Sequence, residues 1–312
     1  MEHVTFAVIA MRRTVSAVML VSICTVSHAL DINPWKGPMP LAVLIQTDPW
    51  LMVMGSDTPR IVVYDDGQVV YQKIEKGKRP VYMHVQLVSN EFAAVTNKLA
   101  QKSNVSGLKT FYNVAPNMTD QPETMLFLAL GKKVFVTTVY GLYTPFVGGS
   151  RAANLPQQIM DLHTYLTSLK FPAATPWDPS FVEVMLWDYG YAPDESIKWP
   201  KEWPGLVSSN SYLHDGNSMY SIYLPGSELP KLRDFLKTRK EKGAVEVDGR
   251  KWAVSYRYVF PGEPVWSYAF SNPSACNRIL SAKVPSSDTN AHAQSTGSTA
   301  RTSGNRTGSG PK

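Results

Sequence analysis

Apolar and polar positions alternate along this chain in two rhythms, one of strands and one of helices. Leu41 to Ile45 is a continuous apolar run of strand length, and Trp50 to Met54 suggests another. Ile61 to Tyr64 and Val69 to Tyr71 flank Asp65-Asp66-Gly67-Gln68. Glycine there accepts the positive φ of a tight turn, so the spacing predicts a hairpin. Val81 to Val88 alternates, with Val81, Met83, Val85 and Leu87 on one face and Tyr82, His84 and Gln86 on the other. That pattern predicts a half-buried strand with His84 on its wetter side. Ser89 or Asn90 then caps a helix whose apolar stripe is Phe92, Val95 and Leu99. Residues 101–123 read as a long polar loop, and 125–140 as a hairpin turning at Gly131-Lys132. A helix from Leu155 to Leu169 follows, with Asn154 as its cap and Ile159, Leu162 and Leu166 facing inward. His163 lies at the edge of that face and is expected to be packed and hydrogen-bonded.

Beyond it, Phe181 to Trp187 and Ser218 to Leu224 read as strands. Ser227 is expected to cap a helix carrying Leu229, Leu232 and Leu236 that ends at Gly243. Its basic cluster (Lys237, Arg239, Lys240, Lys242) would complement the carbonyl end of the helix dipole. Val245 to Tyr258 is a hairpin turning at Asp248-Gly249, after which Pro261 and Pro264 lead the chain out. The two later hairpins are alike: Gly131 begins GKKVFVTTVY and Gly249 begins GRKWAVSYRY, each preceded by strand, serine and helix. The expected fold class is therefore α+β, two similar halves, each a mainly antiparallel sheet with one helix packed on a face. The halves span residues 30–175 and 176–281, the second reading as a duplication of the first.

Composition changes this picture mainly at the ends. Arg12 and Arg13 precede an apolar run and Ser27-His28-Ala29, the form of a secretory signal peptide over residues 1–29, with Met11 an alternative start. The mature chain is thus expected to be periplasmic or extracellular, with no transmembrane segment. Residues 282–312 are rich in Ser, Thr, Gly and Asn and are expected to be disordered. The net charge of +6 is concentrated at these ends, since residues 30–281 hold 25 basic and 23 acidic side chains. That balance argues against a nucleic-acid partner.

Candidate chemistry is sparse. The chain has no GxSxG elbow, no HxH or HExxH spacing and no glycine-rich nucleotide motif, so no catalytic residue, metal site or cofactor is assigned. His214-Asp215-Gly216 could hold a general base, although a polar turn explains it more simply. Sequons occur at Asn104 and Asn117, and Cys276 is alone once Cys24 leaves with the signal. The densest feature is Trp177 to Trp203, where seven of 27 residues are aromatic. Phe181 to Trp187 can be buried as a strand, whereas Pro193, Pro200 and Pro204 argue against a regular strand after Asp188. The expected binding surface is Trp187, Tyr189, Tyr191, Asp194, Glu195, Trp199 and Trp203, where ring faces lie beside acceptors suited to a protein, peptide or saccharide. These features point to a non-enzymatic binding protein, with an exported hydrolase as the alternative.

Overall fold

The computed structural model describes residues 32–51, 53, 57–75, 80–102, 105, 107–131, 133–142, 155–214 and 219–273. The expected signal peptide and tail lie outside the described residues, as do Cys276, Asn104 and Asp215-Gly216. The architecture is mixed, mostly strands, with two sheets and four helices among the described residues. Two compact units divide the chain. Of the described residues, one gathers those within 37–49, 57–177 and 261–273; the other holds those within 178–260 with 32–36, 50, 51 and 53.

The larger unit is built on eight strands: β1 (Pro40–Gln46), β2 (Pro59–Tyr64), β3 (Gln68–Lys73), β4 (Val81–Gln86), β5 (Phe111–Asn113), β6 (Glu123–Leu130), β7 (Lys133–Tyr140) and β8 (Thr175–Pro176). Their order is β5-β7-β6-β1-β2-β3-β4-β8, antiparallel except where β5 runs parallel to β7. The β2–β3 hairpin turns at the expected Asp65-Asp66-Gly67, with Gly67 at φ 86° and Asp66 accepting from the Gln68 N–H. Helices α1 (Ser89–Lys102) and α2 (Gln157–Ser168) set Val95, Leu99, Ile159, Leu162 and Leu166 against Leu44, Ile61 and Val63. Both helices follow from their 3.6-residue apolar spacing, which aligns these side chains on one stripe.

A further helix, α4 (Glu263–Ser271), lies against β1, β6 and β7 with Trp266 buried. Its proline, read from sequence as an exit from the fold, instead occupies the first turn of the helix. A missing N–H costs nothing there, and the fixed φ favours helix entry. Burial, with the Glu263 charge, pushes the Tyr64 hydroxyl well above its usual pKa. Tyr82, expected on the wet face, is 6% exposed. Trp177 packs edge-on to its ring at 5.8 Å, and its hydroxyl bonds Thr58 Oγ1, the Pro59 carbonyl and Gln72 Nε2. Trp50 is 76% exposed and lies outside any strand.

The smaller unit is a six-stranded sheet made of β9 (Phe181–Asp188), β10 (Asp194–Lys198), β11 (Ser211–Leu213), β12 (Met219–Pro225), β13 (Gly243–Val247) and β14 (Arg250–Tyr258). The order is β10-β13-β14-β9-β12-β11, with β10 parallel to β13. One face packs Val182, Val184, Leu186, Ile222 and Leu224 beneath α3 (Leu229–Lys237), whose Leu229 and Leu232 are buried. Helix α3 follows a 3-10 turn, Gly226–Glu228, so Ser227 is not its cap. It also ends well before Gly243. Of the basic cluster only Lys237 lies in its last turn; Lys240 pairs instead with Glu195, and the Lys242 N–H donates to Asp194.

Two expectations about the halves change. The larger unit carries three helices rather than one. Its later hairpin joins the sheet through its first strand, β6 pairing with β1, whereas β13–β14 joins through its second, β14 pairing with β9. Aligning Gly131 with Gly249 therefore equates strands that occupy different places. The duplication is not confirmed.

Candidate functional site

Two clusters in the smaller unit gather side chains with chemistry. The first forms on the sheet face opposite α3. Strand alternation sends Val182, Val184 and Leu186 toward α3, so Glu183 on β9 must point the other way. Arg257 on β14 is its register partner, and Arg257 Nη2 lies 2.5 Å from Glu183 Oε2. On the other neighbour, Ser221 of β12 donates a very short hydrogen bond to Glu183 Oε1. Ser221 Oγ is in turn 2.8 Å from His214 Nε2, just past β11. A polar ladder thus runs His214–Ser221–Glu183–Arg257 across adjacent strands.

Proton accounting fixes its direction. A serine hydroxyl has one proton, and here the Glu183 carboxylate takes it. His214 must therefore donate through Nε2–H, which makes Nδ1 the acceptor in the neutral ring. Serine sits between the imidazole and the carboxylate, whereas an activated serine nucleophile needs the imidazole in the middle as its base. Glu183 and Ser221 are 2% and 0% exposed, so no substrate carbonyl reaches Oγ in this structure. What the arrangement does is satisfy a buried charge. Sequence reading singled out His214 but not Glu183, Ser221 or Arg257, because the ladder is assembled by strand order.

The second cluster is an open cleft of about 330 Å³ on the expected aromatic segment. Lys198, Trp199, Lys201 and Trp203 line it from the end of β10 and the turn that follows, while Glu246 and Asp248 come from β13 and its turn. β10 is itself a departure from expectation: Pro193 and Pro200 bracket it rather than interrupt it. As an edge strand it pairs on one side only, with Ile197 and Lys198 opposite Val245 and Glu246. Asp248 and Gly249 both adopt positive φ, 48° and 76°, as a two-residue hairpin loop requires. Asp248 Oδ2 accepts from the Leu206 N–H at 2.7 Å and so ties this hairpin to the cleft rim.

The expected binding residues separate into four groups. Trp199 and Trp203 are 9% and 8% exposed and belong to the core. Their rings meet each other at 4.8 Å and Phe235 at 5.8 and 5.6 Å. Their indole N–H groups donate to the Pro204 carbonyl and to Glu228, holding the Glu228 carboxyl below its usual pKa. Trp187 is half-buried on the face of Glu183, and its N–H has no hydrogen-bond partner among the described residues. Tyr189 and Tyr191 form an edge-on pair at 5.0 Å, with Tyr191 exposed. Asp194 and Glu195 are engaged by the backbone and side chain of the Lys240–Lys242 turn. The seven residues therefore do not converge on one surface, and Lys198, Lys201, Glu246 and Asp248 replace most of them at the cleft.

His84 is half-buried on β4, where its register partner is Thr175. His163 is 7% exposed, as a packed histidine would be. Among the described residues no three His, Cys, Asp or Glu side chains converge as metal ligands, and no helix is long and apolar enough to cross a membrane. No family model, curated protein or solved structure matches the chain.

Proposed function

We propose that the protein is an exported, non-enzymatic binding protein whose ligand surface is the cleft beside Trp199 and Trp203. One observation carries this reading. The segment densest in aromatics forms a concave surface whose volume falls in the range of small-ligand sites, roughly 300–1,000 Å³. The signal-peptide pattern of residues 1–29 supports export, and N-terminal sequencing of the protein from the exported fraction should begin at Leu30. The ligand class offered by the sequence was protein, peptide or saccharide. Binding should be measured with the mature chain against peptide and oligosaccharide arrays. A Lys198→Ala/Lys201→Ala variant is expected to lose retention while keeping its melting temperature; unchanged retention would remove the cleft from the proposal.

The hydrolase alternative rests on the Ser221–Glu183 contact, since a carboxylate within hydrogen-bond reach can take a serine proton. It requires the ladder to open to substrate. Ester and peptide hydrolysis that survives Ser221→Ala would eliminate Ser221 as nucleophile, and the expected result is no turnover by either protein.

A further inference from the structure

The cleft carries both signs of charge, and the two tryptophans that line it are nearly buried. Ring faces are what a sugar or a ligand cation would need for stacking. Those of Trp199 and Trp203 are spent on each other and on Phe235, leaving under a tenth of either residue exposed. Recognition must then be polar. Lys198 and Lys201 enter from one chain segment, and neither has a carboxylate within ion-pair distance among the described residues. Glu246 and Asp248 enter from another. Asp248 already accepts from the Leu206 N–H through Oδ2, which makes Glu246 the less committed carboxylate for a ligand. Glu246 has Lys198 and Lys251 as its cross-strand partners, so a bare cation would meet two ammonium groups beside its acceptor. A ligand bearing both charges would not.

Taking this cleft to be the ligand site, as above, we infer that its ligand is a short zwitterionic peptide, with its terminal carboxylate on Lys198 and Lys201 and its terminal ammonium on Glu246. Gly249, on the cleft lining, leaves open space where a side chain would stand. Charge-assisted hydrogen bonds at both ends give recognition without stacking.

The test follows the indole N–H signals of Trp199 and Trp203 by NMR in the mature protein. The probes are trialanine, its C-terminal amide, its N-acetyl form and a neutral trisaccharide. Trialanine is expected to bind about tenfold more tightly than either blocked form, the cost of one lost charged contact. Lys198→Ala/Lys201→Ala should abolish the preference for a free carboxylate alone, and Glu246→Gln the preference for a free ammonium alone. Equal binding of a blocked peptide or the trisaccharide, or preferences that persist in these variants, would overturn the zwitterion inference and leave the cleft as a site. If none of the four probes moves the indole signals, both the inference and the cleft reading fall.

Discussion

At the scale of single residues, burial decides what the aromatic segment can do. Composition placed Trp199 and Trp203 on a binding surface because ring faces beside carboxylates are useful there. The fold spends those faces in its core instead. Trp199→Ala is therefore expected to cost about 3–5 kcal/mol of stability in urea denaturation, the range for truncating a buried aromatic. Lys198→Ala, on the exposed rim, should stay within about 0.5 kcal/mol of wild type. A Trp199→Ala protein of unchanged stability would show that the ring is not packed as described. His163 gives the clearest pH effect. Burial first, then the Arg60 charge, lowers its pKa in the folded protein. The unfolded chain then binds a proton that the folded one refuses, so this contribution is complete above about pH 6.5 and shrinks as pH falls through the folded-state value. His163→Leu should flatten the stability profile below pH 6.5 relative to wild type. An identical slope in the two proteins would assign the effect to other groups.

At the scale of elements, local chemistry made most strands and helices readable. β1, the β2–β3 hairpin, α1, α2, β9, β12 and the β13–β14 hairpin all follow from apolar spacing and from turn residues. What misled was proline, read each time as a breaker without regard to position. Pro193 and Pro200 flank β10, and Pro264 sits in the first turn of α4, places where a missing N–H is tolerated. Tyr82 misled differently. Alternation assigned its face, but tertiary packing against Trp177 decided its burial. The glycine signals were more dependable because they report backbone conformation directly. Gly249 has φ 76° and nothing within 4 Å of where a Cβ would be, so its cost of substitution is conformational and not steric. Gly249→Ala should lose about 1–2 kcal/mol, the penalty for a Cβ in the left-handed region. Gly249→Asn should lose less, because Asn tolerates that region. If Ala and Asn behave alike, the turn has relaxed to another type.

At the scale of the whole molecule, strand order creates what no local pattern could announce. Glu183 and Arg257 lie far in sequence from each other and from the His214–Ser221 pair, and the four meet only because β11, β12, β9 and β14 are successive neighbours. Read alone, Glu183 is a polar interruption in an apolar strand. A carboxylate that is 2% exposed cannot stand without partners, so its position in the centre of the sheet dictates that the flanking strands supply them. The same order that built the ladder removed support for the duplication, since similar hairpins were attached by opposite strands. The ladder is consequently a stability device whose parts depend on one another. Arg257→Met should cost about 3–5 kcal/mol by leaving the Glu183 charge buried without its counterion, and Glu183→Met should cost a comparable amount. The double variant removes both charges and replaces them with apolar side chains that fit a sheet interior, so it should recover much of that loss. Recovery will be incomplete, because Ser221 then loses the acceptor for its proton and must turn to His214 Nε2 in the other tautomer. Denaturant unfolding of the four proteins gives the coupling directly as the departure from additivity. A strongly favourable coupling between the two substitutions is the expected sign, and strict additivity would mean that Glu183 and Arg257 do not depend on each other in the folded protein.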